Sequence, residues 1–379
     1  MALVQLTEER EREIVDLQER LMRSILDKSK LWELEKVLGN GTFGVTMLIT
    51  NRDPLHIHKR RRLVLKRSLL MNDVYRNEEL IKESHSLQRM RGNAHHLQMI
   101  ASSEEVNYYR RKVSFESPQL PWWRRLLGAF KNPPKNLIRS ISHLDGPAVL
   151  LEYMENGDLL TMWERIWRAG VPIPNRLLWK IYLCMIRAVI GMAYPPGGPP
   201  GAPTKIEQLP QDNKEPGRFT HNDIALRNVM IGGRWLNDSE HKVIPIFKVI
   251  DYGMSSYSRT PEEAIHRNLA AVARTMIWML GGPDAGNLIG QLTQTDDYHT
   301  IANGLVNPDD WPNLDNDLRE LLMESLALED FMRPGLREAY NRVLRGASKP
   351  PEVFAGRQIE ESNIFIDEFL DRYLFHAST

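Results

Sequence analysis

Apolar and polar positions change period along the chain, and each change marks a new kind of element. Residues 6–30 are dense in charge, with apolar side chains at Ile14, Leu17, Leu21, Ile25 and Leu26. That i, i+3/i+4 spacing predicts an amphipathic helix lying outside the segment that follows. Between 31 and 70 the period shortens. Runs at 32–37 and 45–50 flank a glycine-rich turn, and 62–66 is an apolar run that ends in a lysine; all three read as strands. Residues 72–91 return to helical spacing, with Leu80, Leu87 and Met90 as the apolar contacts. Two further strand-like runs, 97–115 and 148–153, enclose an insert at 116–147. From 158 onward helical periodicity dominates, over 158–169, 175–194, 263–281 and 316–326. Short strand-like runs at 228–231 and 246–250 interrupt it. The last stretch, 351–379, is acidic and then aromatic, and predicts a C-terminal helix docked on the body or on a partner. Strands first and helices afterwards make this an α+β chain.

Two stretches break the pattern. Residues 195–217 are rich in Pro, Gly and charge. That composition buries no core and predicts a mobile loop, so deletion of 196–216 is expected to leave the fold intact. The insert carries Trp122, Trp123, Arg124 and Arg125 within 121–131. It reads as a decoration folded back on the domain; peripheral membrane or partner contact through 121–131 is the less favoured alternative.

Composition adds boundaries. Of 379 residues, 42% are hydrophobic and 26% charged, an ordinary globular balance. Lys+Arg and Asp+Glu are 49 each, so no global charge draws the chain to nucleic acid, and no nucleic-acid partner is expected. A single cysteine, Cys184, excludes an intramolecular disulfide framework and a Cys-rich metal site. Set in Leu183-Cys184-Met185-Ile186, it reads as a small buried hydrophobe. No apolar run reaches the ~18–20 residues of a membrane span, and Met1 to Gln5 does not open a secretory signal. An intracellular protein, cytoplasmic or nuclear, is expected.

Four groups of residues carry candidate chemistry. Gly39, Gly41 and Gly44, set between strands, let backbone approach phosphate oxygens without Cβ interference. Lys66 ends an apolar strand, so its ammonium seeks an anion: a phosphate, or the carboxylate of Glu83 on the next helix. Asp223 and Asn228 stand five apart just before a strand. A carboxylate there can orient a hydroxyl proton and an amide oxygen can ligate Mg²⁺. Asp251 directly follows the apolar run 246–250, with Gly253 two residues on, well placed as a hard-cation ligand.

In this order and spacing the four groups resemble the signature set of the eukaryotic protein kinase superfamily. The resemblance spans residues ~32–345 and extends to 150–159, similar to the family's inter-lobe hinge, and to Arg333-Pro334, similar to its late helical motif. It implies a bilobal protein-kinase-like fold holding Mg·ATP between a β-rich N-lobe and a mainly helical C-lobe. The expected domains are a helical extension (1–30), the N-lobe (31–152), the C-lobe (153–349, with the loop 195–217) and a helical tail (350–379). Carried over, Gly39, Gly41 and Gly44 cover the phosphates, and Lys66 contacts them and pairs with Glu83. Backbone groups of Glu152 and Met154 hold adenine; Val45, Val64 and Met230 sandwich it; Asp158 reaches the ribose. Asp223 is the catalytic base, and Asn228 and Asp251 bind the metal. The implied activity is transfer of the ATP γ-phosphate to a protein hydroxyl, of the Ser/Thr class.

The departures concern the substrate side. Asn222 stands where the family has arginine, and Ala225 where serine/threonine kinases have lysine. The stretch after Gly253 is short, Thr260-Pro261-Glu262 is only a faint counterpart of the family's Ala-Pro-Glu, and Asn268 replaces the aspartate of the following helix. A pseudokinase or nucleotide-binding interaction module is therefore the alternative reading, and a small-molecule kinase a third.

Overall fold

Alternation in one short strand organises the first half of the molecule. In β3 (Arg62–Arg67), Leu63, Leu65 and Arg67 are buried on one face, while Val64 and Lys66 lie on the other and stay partly accessible, as pleating requires. The structure, a computed structural model, describes residues 8–29, 32–41, 44–51, 62–68, 74–105, 146–199 and 201–376. The tryptophan-bearing stretch 121–131 and nearly all of the insert, Thr42 and Phe43 of the glycine turn, and residues 106–115 lie outside the described residues. The chain divides into two compact units. The first comprises Met1–Gly92, Leu97–Tyr153 and Pro196–Thr204; the second comprises Asn93–His96, Met154–Pro195 and Lys205–Thr379.

In the first unit, β1 (Trp32–Gly41), β2 (Gly44–Asn51), β3, β4 (Met99–Ser102) and β5 (Ala148–Glu152) form one antiparallel sheet in the order β1-β2-β3-β5-β4. Helix α1 (Glu8–Ser29) lies on β1 and places Met22 and Leu26 in a core with Trp32, Val45, Leu63 and Leu65. Its buried stripe differs from the expected one. Leu17 is 64% exposed, whereas Gln18, Met22 and Leu26 are buried and Val15 packs against the core; the side chains of Ile14 and Ile25 lie outside the description. Periodicity accommodates either stripe. The rotation is set by contacts to the sheet: Arg67 Nη1 reaches Met22 Sδ at 3.6 Å and Arg23 Nη1 donates to the Leu34 carbonyl at 3.2 Å. Helix α2 (Val74–Met90) buries Leu80, Leu87 and Met90 beside β4 and β5.

The second unit is mainly helical: α3 (Leu159–Ala169), α4 (Asn175–Ala193), α5 (Pro261–Gly281), α6 (Asn316–Glu324), α7 (Leu336–Ala347) and α8 (Asn363–Leu370). Helix α4 is buried nearly all round, as befits the central element, and α5 and α7 pack on it. Two short ladders pair β6 (Phe219–Thr220) with β9 (Ser256–Tyr257) and β7 (Val229–Ile231) with β8 (Phe247–Val249). The α+β class is thus present as expected. Among the described residues no helix is long and apolar enough to cross a membrane.

The expected mobile loop needs correction. Within 195–217, residues 196–204 belong to the first unit, where Gly197 and Gly198 donate to the Arg89 and Arg91 carbonyls. Residues 205–209 are docked in the second unit: Glu207 and Leu209 are buried, and Glu207 accepts from the backbone N–H (2.9 Å) and faces Nδ1 (2.6 Å) of His95. Composition counts apolar content; here one buried, fully hydrogen-bonded carboxylate holds the segment instead.

Candidate functional site

The pleat that puts Leu63 and Leu65 into the core puts Lys66 on the opposite face. There its Nζ meets both carboxylate oxygens of Glu83, at 2.9 and 2.7 Å. Glu83 faces the same way as Leu80 and Leu87, at i, i+3 and i+7 along α2, and its side chain is 4% accessible against 16% for Lys66. The pair is the charged centre of the candidate residues in the first unit. Val64 shares its face, and Gly39, Gly41 and Gly44 lie on the β1–β2 hairpin, paired with Thr46, Gly44 and Gly41 respectively. Gly44 is also required by packing: a Cβ there would stand 2.2 Å from the Arg67 carbonyl oxygen.

One assignment on this sheet is overturned. Val45 pairs with Arg67 and is buried in the core with Leu63 and Leu65, on the face away from Lys66 and Val64. Thr46 is the residue that stands opposite Lys66. A shift of one position reverses the face of a strand residue, so Val45 does not share a surface with the other first-unit candidates. Glu152, at the end of β5, commits its backbone N–H to the Gln98 carbonyl (3.0 Å) and its carboxylate to the Gln98 N–H (2.7 Å).

In the second unit, Asp223, Asn228 and Asp251 are drawn together by a loop and a ladder. The Asn228 amide donates to Asp223 Oδ2 (2.9 Å) and to the Asp223 carbonyl (2.8 Å). The Asn228 carbonyl accepts from Ile250 N–H at 2.9 Å, continuing the β7–β8 register and bringing Asp251 to the same end. Asp223 Oδ1 is 2.6 Å from Arg227. Each carboxylate oxygen keeps a further acceptor position. Asp251 has φ 63° and Asn222 φ 65°, left-handed conformations that Asx residues tolerate and that recur at functional sites.

Helix α5 holds this loop from below. Asn268, buried, accepts from the His221 N–H (3.0 Å) and donates to the Phe219 carbonyl (2.9 Å). Thr275 donates to the Ile224 carbonyl (3.0 Å), and Arg267 donates to Asn222 Oδ1 (3.0 Å). Asn222 in turn donates to Met254 O and Ser256 Oγ. The His221 ring accepts from the Asp223 N–H at Nδ1 and donates from Nε2 to the Ile250 carbonyl, so it is the neutral Nε2–H tautomer. Burial accordingly pushes its pKa down. The remaining candidates lie nearby in the chain's path. Asp158 caps α3, accepting from Thr161 N–H at 2.7 Å, and bridges to Met230; Met154 is buried against Gly232.

Sequence reasoning missed Thr46 and Thr275. The first was legible from strand parity, counted across from Lys66. The second lies seven residues beyond Asn268, on the same helix face. Thr260, within the faint Ala-Pro-Glu counterpart, is the N-cap of α5, accepting from Glu263 N–H. No family model matches the chain, and no curated protein matches it in sequence.

Proposed function

We propose that this chain is an atypical ATP-dependent phosphotransferase of the protein kinase superfamily, and that its two units are the β-rich N-lobe and mainly helical C-lobe of that fold. The observation that carries the reading is the joining of Asp223 to Asn228 through side-chain hydrogen bonds, and of Asn228 to Ile250, the neighbour of Asp251 and remote in sequence, through a ladder hydrogen bond. The part-buried Lys66–Glu83 pair supports it from the other unit. The residues suit Mg²⁺: the Asn228 amide nitrogen is held by Asp223, which directs its oxygen elsewhere, and Asp251 adds a carboxylate, so both offer hard oxygen donors. Bound there, Mg²⁺ would supply charge neutralisation at the phosphate oxygens. Lys66 is oriented by Glu83 toward the α/β-phosphates. Asp223 accepts the proton of a Ser/Thr-type hydroxyl as its oxygen bonds to the γ-phosphorus and ADP departs. Gly39, Gly41 and Gly44 give backbone access to the phosphates, while Val64, Met154 and Met230 contact the base.

A nucleotide-binding module without transfer is the second reading, favoured by one feature. Only residues 254–260 separate Gly253 from α5, and β9 within them is paired with β6, which leaves little chain to hold a peptide. ADP release and intact mass with Mg·ATP separate the two. Transfer that falls about 10²–10⁴-fold in Asp223→Ala supports the kinase. Nucleotide-dependent stabilisation without transfer supports the module. The absence of both removes the ATP site.

A further inference from the structure

Four segments remote in sequence converge inside the second unit: 93–96, α4, 205–209 and the β7–β8 connection. They bring His95, Cys184 and His241 together, at 0, 2 and 2% exposure, and none of these belongs to the phosphotransfer residues above. One donor atom from each side chain lies within 4.8 Å of the others, and the two Nε2 atoms are 3.1 Å apart. With bonds of about 2.0 Å to nitrogen and 2.3 Å to sulfur, donors on a tetrahedral zinc stand roughly 3.3–3.6 Å apart. The histidine edge is close to that spacing, with the sulfur in reach.

We propose that His95, Cys184 and His241 form a buried zinc-class metal site, with Glu207 as the carboxylate that orients His95. Glu207 takes both the backbone N–H and the Nδ1 side of His95, which places the ring proton on Nδ1 and turns Nε2 toward His241. Two ring nitrogens face each other at this distance only with something positive between them, a proton or a metal ion. A proton serves two donors. The Cys184 sulfur, within 4.8 Å of one ring nitrogen of each histidine, is a third, and thiolate with imidazole is the set that selects zinc over harder cations. A carboxylate behind a ligating imidazole is the usual outer shell of such a centre. His241 Nδ1 is buried without a hydrogen-bond partner, so only the Nε2 side of this ring is held by a polar contact. Charge closes as well: Zn²⁺, the Cys184 thiolate and the Glu207 carboxylate sum to zero, with the thiol proton and the one between the rings released to solvent. Three protein donors leave the fourth position to water. The ion would fasten 93–96 and the β7–β8 connection to α4, and so brace the ladder that carries Asn228 and Asp251.

Elemental analysis of the full chain, purified without chelator, tests this apart from any nucleotide. One zinc per chain is expected in wild type, with loss in Cys184→Ala and in His241→Gln. Wild type stripped of metal and titrated with Co²⁺ should develop a thiolate-to-cobalt charge-transfer band that Cys184→Ala lacks. Where the variants do not fold, wild type alone decides. A folded wild-type chain with no stoichiometric zinc and no such band with Co²⁺ overturns the site; the band together with a zinc-dependent rise in melting temperature upholds it.

Discussion

Position 268 carries an amide where its loop needs a donor and an acceptor at once. Asn268 satisfies the Phe219 carbonyl and the His221 N–H together. Asn268→Asp would set two acceptors against each other, and Asn268→Leu would strand both backbone groups. Each unsatisfied buried group costs about 1–3 kcal/mol, so urea denaturation should show losses of that order, larger for leucine, with transfer activity falling as the loop loosens. Lys66 calls for a different experiment, because removing it disturbs stability and binding together. Lys66→Met removes the ammonium that buried Glu83 faces at 2.7 Å, and breaking such a pair from one side costs up to about 3–5 kcal/mol. The double variant Lys66→Met/Glu83→Gln should recover most of that stability while nucleotide affinity stays weak. Recovered affinity in the double variant would mean that Lys66 serves the fold and not the phosphates.

Among the elements, the segment 205–209 departs furthest from what composition suggests. Replacing 196–216 should lower the melting temperature sharply, because it removes Glu207 from buried His95 and the Arg89 and Arg91 carbonyl contacts from the first unit. Replacing only the exposed residues 211–215 with glycine should leave it nearly unchanged. This contrast also marks where local pattern stops being informative. Strand β3, the Leu80–Leu87 face of α2 and the Asp223–Asn228 spacing were all readable, because each is expressed within a few residues of itself. The His95–Glu207 contact joins positions 112 apart, and no periodicity encodes it. Val45 was misplaced by a single position, since the face of a strand residue depends on register, and α1 turned because Leu17 and Gln18 fit the same helical period equally well.

For the molecule as a whole, acid is the relevant stress. His221 is buried and neutral in the second unit, with its pKa pushed below the ordinary value of about 6.5 by burial. Below that value the unfolded chain binds a proton that the folded chain refuses. The contribution is therefore complete above about pH 6.5 and is lost as the pH falls, at up to about 1.4 kcal/mol per pH unit for this group. Urea midpoints of wild type between neutral pH and pH 5 should fall more steeply than those of His221→Gln; parallel profiles would remove His221 as the cause. The path of the chain has a further consequence, for manufacture. The backbone passes from one unit to the other at 92/93, 96/97, 153/154, 195/196 and 204/205. A ribosome releasing the chain from its N-terminus has not delivered all of the first unit until residue 204 emerges. A gene truncated after Tyr153 therefore encodes an unfinished β-rich unit, lacking the strap that binds Arg89 and Arg91, and the two halves are better obtained by circular rearrangement than by a single cut.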